Sequence, residues 1–412
     1  MARIFFILTL MLNKAIFDLY FDLFEKDIFP DIYSNILYSH NKNIICRSGQ
    51  LVKKDLSKSN TVYLVKYIPD YLTPNLLIPF QAIRFFEIKG YAINLDGITS
   101  IEQYLKIQLK KKHRSSLINR KNRLEYCFNI RYEVYNNQIS KEIYSYLMSV
   151  LREFLALRFE QRHETNQRLL EWDKYYELFF TLINNQRASF FAIYENDKPI
   201  ALSLCYHLDK IFFGAITSYD INYAKFGLGQ ILIYKRLEWC INKNFMIYDM
   251  SMGNRNYKIK WCNMEYDFEH HIVYHPYSFQ ALLYARIIAL RISIKNYLKS
   301  KNVHLLYKKT KARFKMKTKI DTKLNHTINR LKYTIEPIED IQIYGNLKKL
   351  DFNEMPYKFL KQSVCDIQYT TSEHISNIEI MEIEKDKSYL VKGNVHAHKV
   401  TFYANSIDNP VG

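Results

Sequence analysis

Ser218-Tyr219-Asp220 is followed by a short polar stretch, then Phe226-Gly227-Leu228-Gly229-Gln230 and an apolar run from Ile231 to Asn242. Next come Phe245-Met246-Ile247-Tyr248-Asp249-Met250 and Gly253-Asn254-Arg255-Asn256-Tyr257-Lys258-Ile259-Lys260-Trp261. The order reads as a strand end, a glycine turn, a helix, a buried strand and a second glycine turn. A helix that opens directly after a glycine turn presents unpaired N–H groups at the positive end of its dipole, which is a ready anion site. Glycine lets the backbone come close to the anion. The alternative is an ordinary strand-to-helix turn.

Upstream of this block, Ala188 to Tyr194, Ile200 to Leu208 and Ile211 to Thr217 read as strands. The turns Glu195-Asn196-Asp197-Lys198 and Asp209-Lys210 are short enough for antiparallel hairpins. Before them, Ser140 to Phe159 and Leu169 to Asn185 carry apolar residues at helical spacing. Lys106 to Arg123 is a basic run with few breakers, expected as one helix, and is either a solvated face or a clamp for phosphate. Downstream, a strand pair is expected between Glu265 and Tyr274, then an amphipathic helix from Ser278 to Leu298. An antiparallel meander feeding a parallel crossover gives a mixed α/β sheet with flanking helices. A Rossmann order is excluded, because no glycine fingerprint follows a first strand.

Four segments are expected. Residues 1–105 form an N-terminal α/β lobe, with strands at Asn43 to Val52, Thr61 to Ile68 and Ala82 to Leu95. Residues 106–300 form the main domain, and 301–334 are a basic helix or linker. Residues 335–412 are a small C-terminal module, with hairpin strands at Ile378 to Val391 and Val395 to Tyr403.

With 412 residues the chain exceeds what one hydrophobic core usually organises. A net charge of +18 favours polyanions: nucleic acid, anionic lipid or a phosphorylated coenzyme. No recognition motif for DNA or RNA is present, so DNA is not an expected partner. The six Cys form no C-x-x-C pair, which fits a reduced cytoplasmic setting, with peripheral contact to an anionic membrane through the basic segments allowed. The apolar start, Ile4 to Leu12, is too short to span a bilayer and is expected to dock as an N-terminal element. His270-His271 and His396-x-His398 lack convincing partners for a metal, so none is expected.

Lys106 to about Ser300 resembles the GNAT acyltransferases, in the branch of the CelD-like and FemAB-like proteins. The likeness rests on the basic helix His113 to Arg123, on Ser218-Tyr219-Asp220 with Tyr223 to Gly229, and on Asp249, Gly253, Tyr257, Lys258 and Trp261 at the branch's spacing. Ala224 departs from the broader pattern, where an Arg or Gln stands. The resemblance implies a GNAT-like mixed sheet, with residues 1–105 as a degenerate first GNAT-like lobe. It also implies that the strand Gly214 to Ser218 diverges from Phe245 to Met250 and leaves a slot for a pantetheine arm. The implied activity is transfer of an acyl group, most simply acetyl, from acyl-CoA to an amine such as an amino sugar or a cell-surface polysaccharide precursor. A FemAB-like aminoacyl transferase using aminoacyl-tRNA, and a non-catalytic binding protein on a decayed lobe, are the alternatives.

Such chemistry needs a grip on the diphosphate, expected from Gly227, Leu228, Gly229, Gln230 and Ile231. It needs a backbone donor for the thioester oxygen, expected from the strand holding Ala215, Ile216 and Thr217; such donors contribute roughly 3–4 kcal/mol. It also needs a route for the amine's proton. Asp249 and Tyr257 are the candidates in the closing motif, with His207 and Asp220 as further titratable groups. Asp249 could equally hold its turn through backbone bonds. The resemblance gives Lys258 a contact with phosphate or the reacting carbonyl.

Overall fold

The computed structural model describes residues 13–47, 60–162, 164–253, 255–300, 332–339, 347–352 and 354–403. The apolar start, the tail of the expected strand 43–52 and the basic segment 301–331 lie outside the described residues. In chain order the strands are β1 (Lys14–Asp18), β2 (Tyr33–Tyr38), β3 (Ile44–Arg47), β4 (Val62–Pro69), β5 (Leu72–Leu76) and β6 (Gln81–Asn94). Helices α1 (Ile101–Gln108) and α2 (Lys111–Cys127) follow, then β7 (Ile130–Tyr135), α3 (Lys141–Glu160) and α4 (Trp172–Asn184). The meander is β8 (Ala188–Glu195), β9 (Lys198–Leu208) and β10 (Ile211–Tyr219), followed by α5 (Leu228–Asn242) and β11 (Ile247–Met252). Then come α6 (Asn256–Trp261), β12 (Met264–Tyr274) and α7 (Phe279–Ser300). The C-terminal part holds β13 (Lys332–Pro337), β14 (Lys349–Leu350), α8 (Lys361–Thr371), β15 (Glu379–Glu384), β16 (Ser388–Lys392) and β17 (Ala397–Tyr403).

The chain divides into two compact units. The first comprises Met1–Asn94 and Asp249–Asn325, the second Leu95–Tyr248 and His326–Gly412, so the boundary falls inside β11.

In the first unit the strands run in the order β1-β4-β12-β6-β11. The β1–β4 pair is parallel, and β12 is antiparallel to both β4 and β6. The strand pair expected between Glu265 and Tyr274 is a single strand, β12. No glycine or proline interrupts it, and β4 and β6 engage its two edges. Ala281 and Ala285 of α7 seat that helix on Val62, Leu64 and Ile272. Gly90 is fixed by Tyr266: a Cβ there would stand 2.2 Å from the Tyr266 ring.

In the second unit β10, β9, β8 and β7 form an antiparallel sheet. Nearly every residue of β8 and β9 is buried, so both sheet faces are covered, by α3, α4 and α5. The basic run expected as one helix is broken between α1 and α2. Leu109 is buried in extended backbone there, and the chain re-enters helix at Lys111.

The C-terminal part of this unit is a five-stranded antiparallel sheet, β13-β17-β16-β15-β14, with α8 packed on it. Its core is Leu360, Val364 and Ile367 against Ile380, Tyr389, Val391, Val400 and Phe402. The strand expected from Ile378 to Val391 is itself a hairpin. It turns at Asp386, whose φ of 56° is a left-handed conformation that Asp tolerates better than most residues.

Candidate functional site

The glycine turn lies in the second unit. Asp220 follows β10 and caps the short helix Ile221–Phe226 by accepting the Asn222 N–H at 2.9 Å. Gly227 then adopts φ 73°, ψ 42°, the left-handed conformation that favours glycine. Helix α5 starts at the next residue, anchored by the fully buried Leu228 and Ile231. Its first turn has no acidic residue and no side-chain cap among the described residues.

The N–H groups of Gln230 and Ile231 both donate to the Gly227 carbonyl, at 2.9 and 3.3 Å. That leaves the N–H groups of Leu228 and Gly229 for an anion at this mouth. Gly229 has a packing reason as well: a Cβ there would stand 2.9 Å from the Tyr219 ring.

A cation is present without an Arg at position 224. Arg120 of α2 reaches Gly227, its Nη1 3.2 Å from the point where a Cβ would stand. The Arg120 Nε is shielded from solvent and has no hydrogen-bond partner among the described residues. In the sequence, Arg120 is one base among many in the run Lys106 to Arg123. Helical spacing puts it on the same side of α2 as the buried Leu117 and Leu124, the signal that separates it from its solvated neighbours.

Strand β10 carries a bulge between Gly214 and Ile216, so Ala215 has no opposite residue in β9. The Ile216 carbonyl accepts the Ser203 hydroxyl at 3.2 Å, and Ser203 also contacts the Thr217 hydroxyl at 2.8 Å. Buried Arg236 of α5 donates to both hydroxyls, at 2.8 and 3.0 Å. Thr217's hydroxyl is therefore engaged by Ser203 and Arg236. At the other end of β10, the Lys210 carbonyl accepts the N–H groups of Met246 and Ile247 at 2.9 and 3.2 Å.

The closing-motif residues lie in the first unit. Asp249 is fully buried: Oδ2 accepts the hydroxyls of Tyr71 and Tyr266, each at 2.7 Å, and Oδ1 accepts the Ser251 N–H at 2.5 Å. Burial, and secondarily this carboxylate, push the Tyr266 hydroxyl well above its ordinary range. The Lys258 ammonium donates to the carbonyls of Ser251 and Met252, at 3.2 and 2.6 Å. Ser251 and Gly253 both have positive φ, so Lys258 and Asp249 tie down the same turn from two sides. Tyr257 is 41% exposed and Trp261 is buried.

His207 is a packed residue. Its rings of contact are Phe212, Trp239 and Phe245, with Nε2 2.9 Å from the Ser189 hydroxyl and Nδ1 3.3 Å from the Gln186 carbonyl. The carbonyl requires the proton on Nδ1, so Nε2 accepts from Ser189. Burial lowers its pKa to about 4. Among the described residues no cluster of three or more His, Cys, Asp or Glu is placed to hold a metal, and no helix is long and apolar enough to cross a membrane.

Residues 111–259 match the Acetyltransferase (GNAT) domain family. The match runs from the start of α2 into α6, and takes in the glycine turn and the closing motif as far as Lys258. A search of curated proteins finds no match. Similar solved structures include L-PGS from Bacillus licheniformis, at 14% identity over 57% of this chain and 75% of that one, with a TM-score of 0.35. FemX is 9% identical over 55% and 74%, with a TM-score of 0.39. A conserved protein of unknown function from Bacteroides thetaiotaomicron VPI-5482 is 11% identical over 53% and 72%, with a TM-score of 0.36. Likenesses this distant do not bear on the chemistry.

Proposed function

We propose that the protein is an N-acyltransferase that moves an acyl group, acetyl in the simplest case, from acyl-CoA to an amine. An amino sugar or cell-surface polysaccharide precursor is the acceptor class we favour. The observation that carries the donor reading is the convergence at Gly227: a left-handed turn, the Leu228 and Gly229 amides, and the Arg120 guanidinium. Paired amides at a helix start and a guanidinium are complementary to a diphosphate. Asp249 and Lys258 shape the turn after β11 on this reading, and Tyr257 is the exposed polar group of that motif.

The exposed bases Lys106, Lys110, Lys111, Lys112 and His113 favour a second reading, an aminoacyl-tRNA donor. Thermal denaturation with CoA, acetyl-CoA and longer acyl-CoAs separates the two. Ligand at about 100 times its Kd raises stability by roughly 2.7 kcal/mol if the first holds. No shift with any CoA, together with salt-sensitive tRNA binding, supports the second. Neither response supports a binding protein on a decayed lobe.

A further inference from the structure

The segment ahead of Gly227 is gripped by a part of the chain outside the family match. Helix α8 of the C-terminal module lies against Ile221–Phe226 and against α2. The Lys361 ammonium stands 3.6 Å from Glu195 and 3.7 Å from Asp220, with all three side chains largely buried. It also lies 4.8 Å from the centre of the Tyr223 ring, and Tyr223 donates its hydroxyl to Glu195. One turn on, Asp366 pairs with Lys225 at 3.2 Å and accepts the Tyr333 hydroxyl at 2.8 Å. The Tyr369 ring meets Phe226 edge-on at 5.2 Å.

The same helix also holds α2, the helix that delivers Arg120. Arg123 donates to the Tyr369 carbonyl at 2.5 Å and stacks over its ring, and the Cys127 thiol lies 3.5 Å from the Gln368 carbonyl. The contacts with α8 thus fall at Asp220, Tyr223, Lys225 and Phe226 on one side and at Arg123 and Cys127 on the other. These positions flank Gly227 and Arg120.

We propose that α8 is a brace for the donor site, with Lys361 and Asp366 as positioning residues. Neither touches the donor. Lys361 holds Asp220 and Tyr223, Asp366 holds Lys225, and together they fix the direction in which the Leu228 and Gly229 amides point. A charged pair tied to both ends of a turn restricts it at the cost of desolvating the ions, which the shared partners Glu195, Asp220 and Tyr333 offset. The C-terminal module then belongs to the acyltransferase machinery and is no free appendix. This inference rests on the donor reading above.

The test uses the full chain with CoA as probe, calorimetric Kd and amide hydrogen exchange. Lys361→Ala and Asp366→Asn are each expected to weaken CoA binding by about tenfold. Exchange should rise at 221–231 while the strands β15 to β17 stay protected. Lys361→Arg should recover most of the affinity, and Lys349→Ala, on the far edge strand of the same sheet, should leave it unchanged. Unaltered affinity in Lys361→Ala and Asp366→Asn overturns the brace, even if melting temperature falls. If Lys361→Ala does not fold, the milder Asp366→Asn decides on the same readouts. Absence of CoA binding by the wild-type chain overturns the donor reading itself, a separate outcome.

Discussion

The Arg120 guanidinium lies against the backbone of Gly227, its Nη1 3.2 Å from where a Cβ would stand. A side chain that the GNAT pattern places inside the loop is absent here, and a cation from a preceding helix occupies the same mouth. Arg120→Ala should weaken CoA binding by about tenfold, ~1.4 kcal/mol, with little change in melting temperature. Calorimetric titration checks it, and equal affinity in the variant removes Arg120 from the site.

Gly229→Val pushes into the Tyr219 ring, which a Cβ would already approach to 2.9 Å. The first turn of α5 must shift, and CoA binding should be lost. A Tyr219→Ala background should restore part of the affinity to Gly229→Ala, because the obstructing ring is then gone. No restoration would mean that the glycine serves the ligand's approach alone.

Lys258→Met leaves the carbonyls of Ser251 and Met252 without their ammonium partner. The expected loss is about 1–3 kcal/mol of folding stability, read from urea unfolding. Full stability with depressed turnover would instead make Lys258 a group that meets the substrate.

His207 predicts an acid limb. Burial holds the folded imidazole at about 4, below its ordinary 6.5. Above pH 6.5 both states are neutral and the contribution is intact. As pH falls from about 6.5 to about 4 the unfolded chain takes up a proton that the folded chain refuses, so stability declines, by about 3 kcal/mol in full. His207→Gln should flatten the fall in melting temperature between about pH 7 and about pH 5. An unchanged slope contradicts the assignment.

Much of this was legible in the sequence because it is local. The apolar runs between short polar turns in Ala188 to Thr217 and the glycine between Phe226 and Leu228 fix the meander and the turn without tertiary help. Long-range partners decided the rest. β12 is one strand because β4 and β6 engage both its edges, which no pattern within Glu265 to Tyr274 encodes. Asp249 and Lys258 were identifiable as a motif, but their partners Tyr71, Tyr266 and the Ser251 carbonyl come from the fold. Composition set residues 335–412 apart. Their attachment through Lys361 and Asp366 depends on two charges that look like ordinary surface residues in the sequence.

The central claim is that a coenzyme's diphosphate is held at the start of α5. Calorimetric titration of the full chain with CoA, beside Gly229→Val and Arg120→Ala, tests it most directly. We predict saturable one-to-one binding that the first variant loses and the second weakens. Wild-type protein that takes up no CoA, or variants that bind it as well as wild type, would contradict the account.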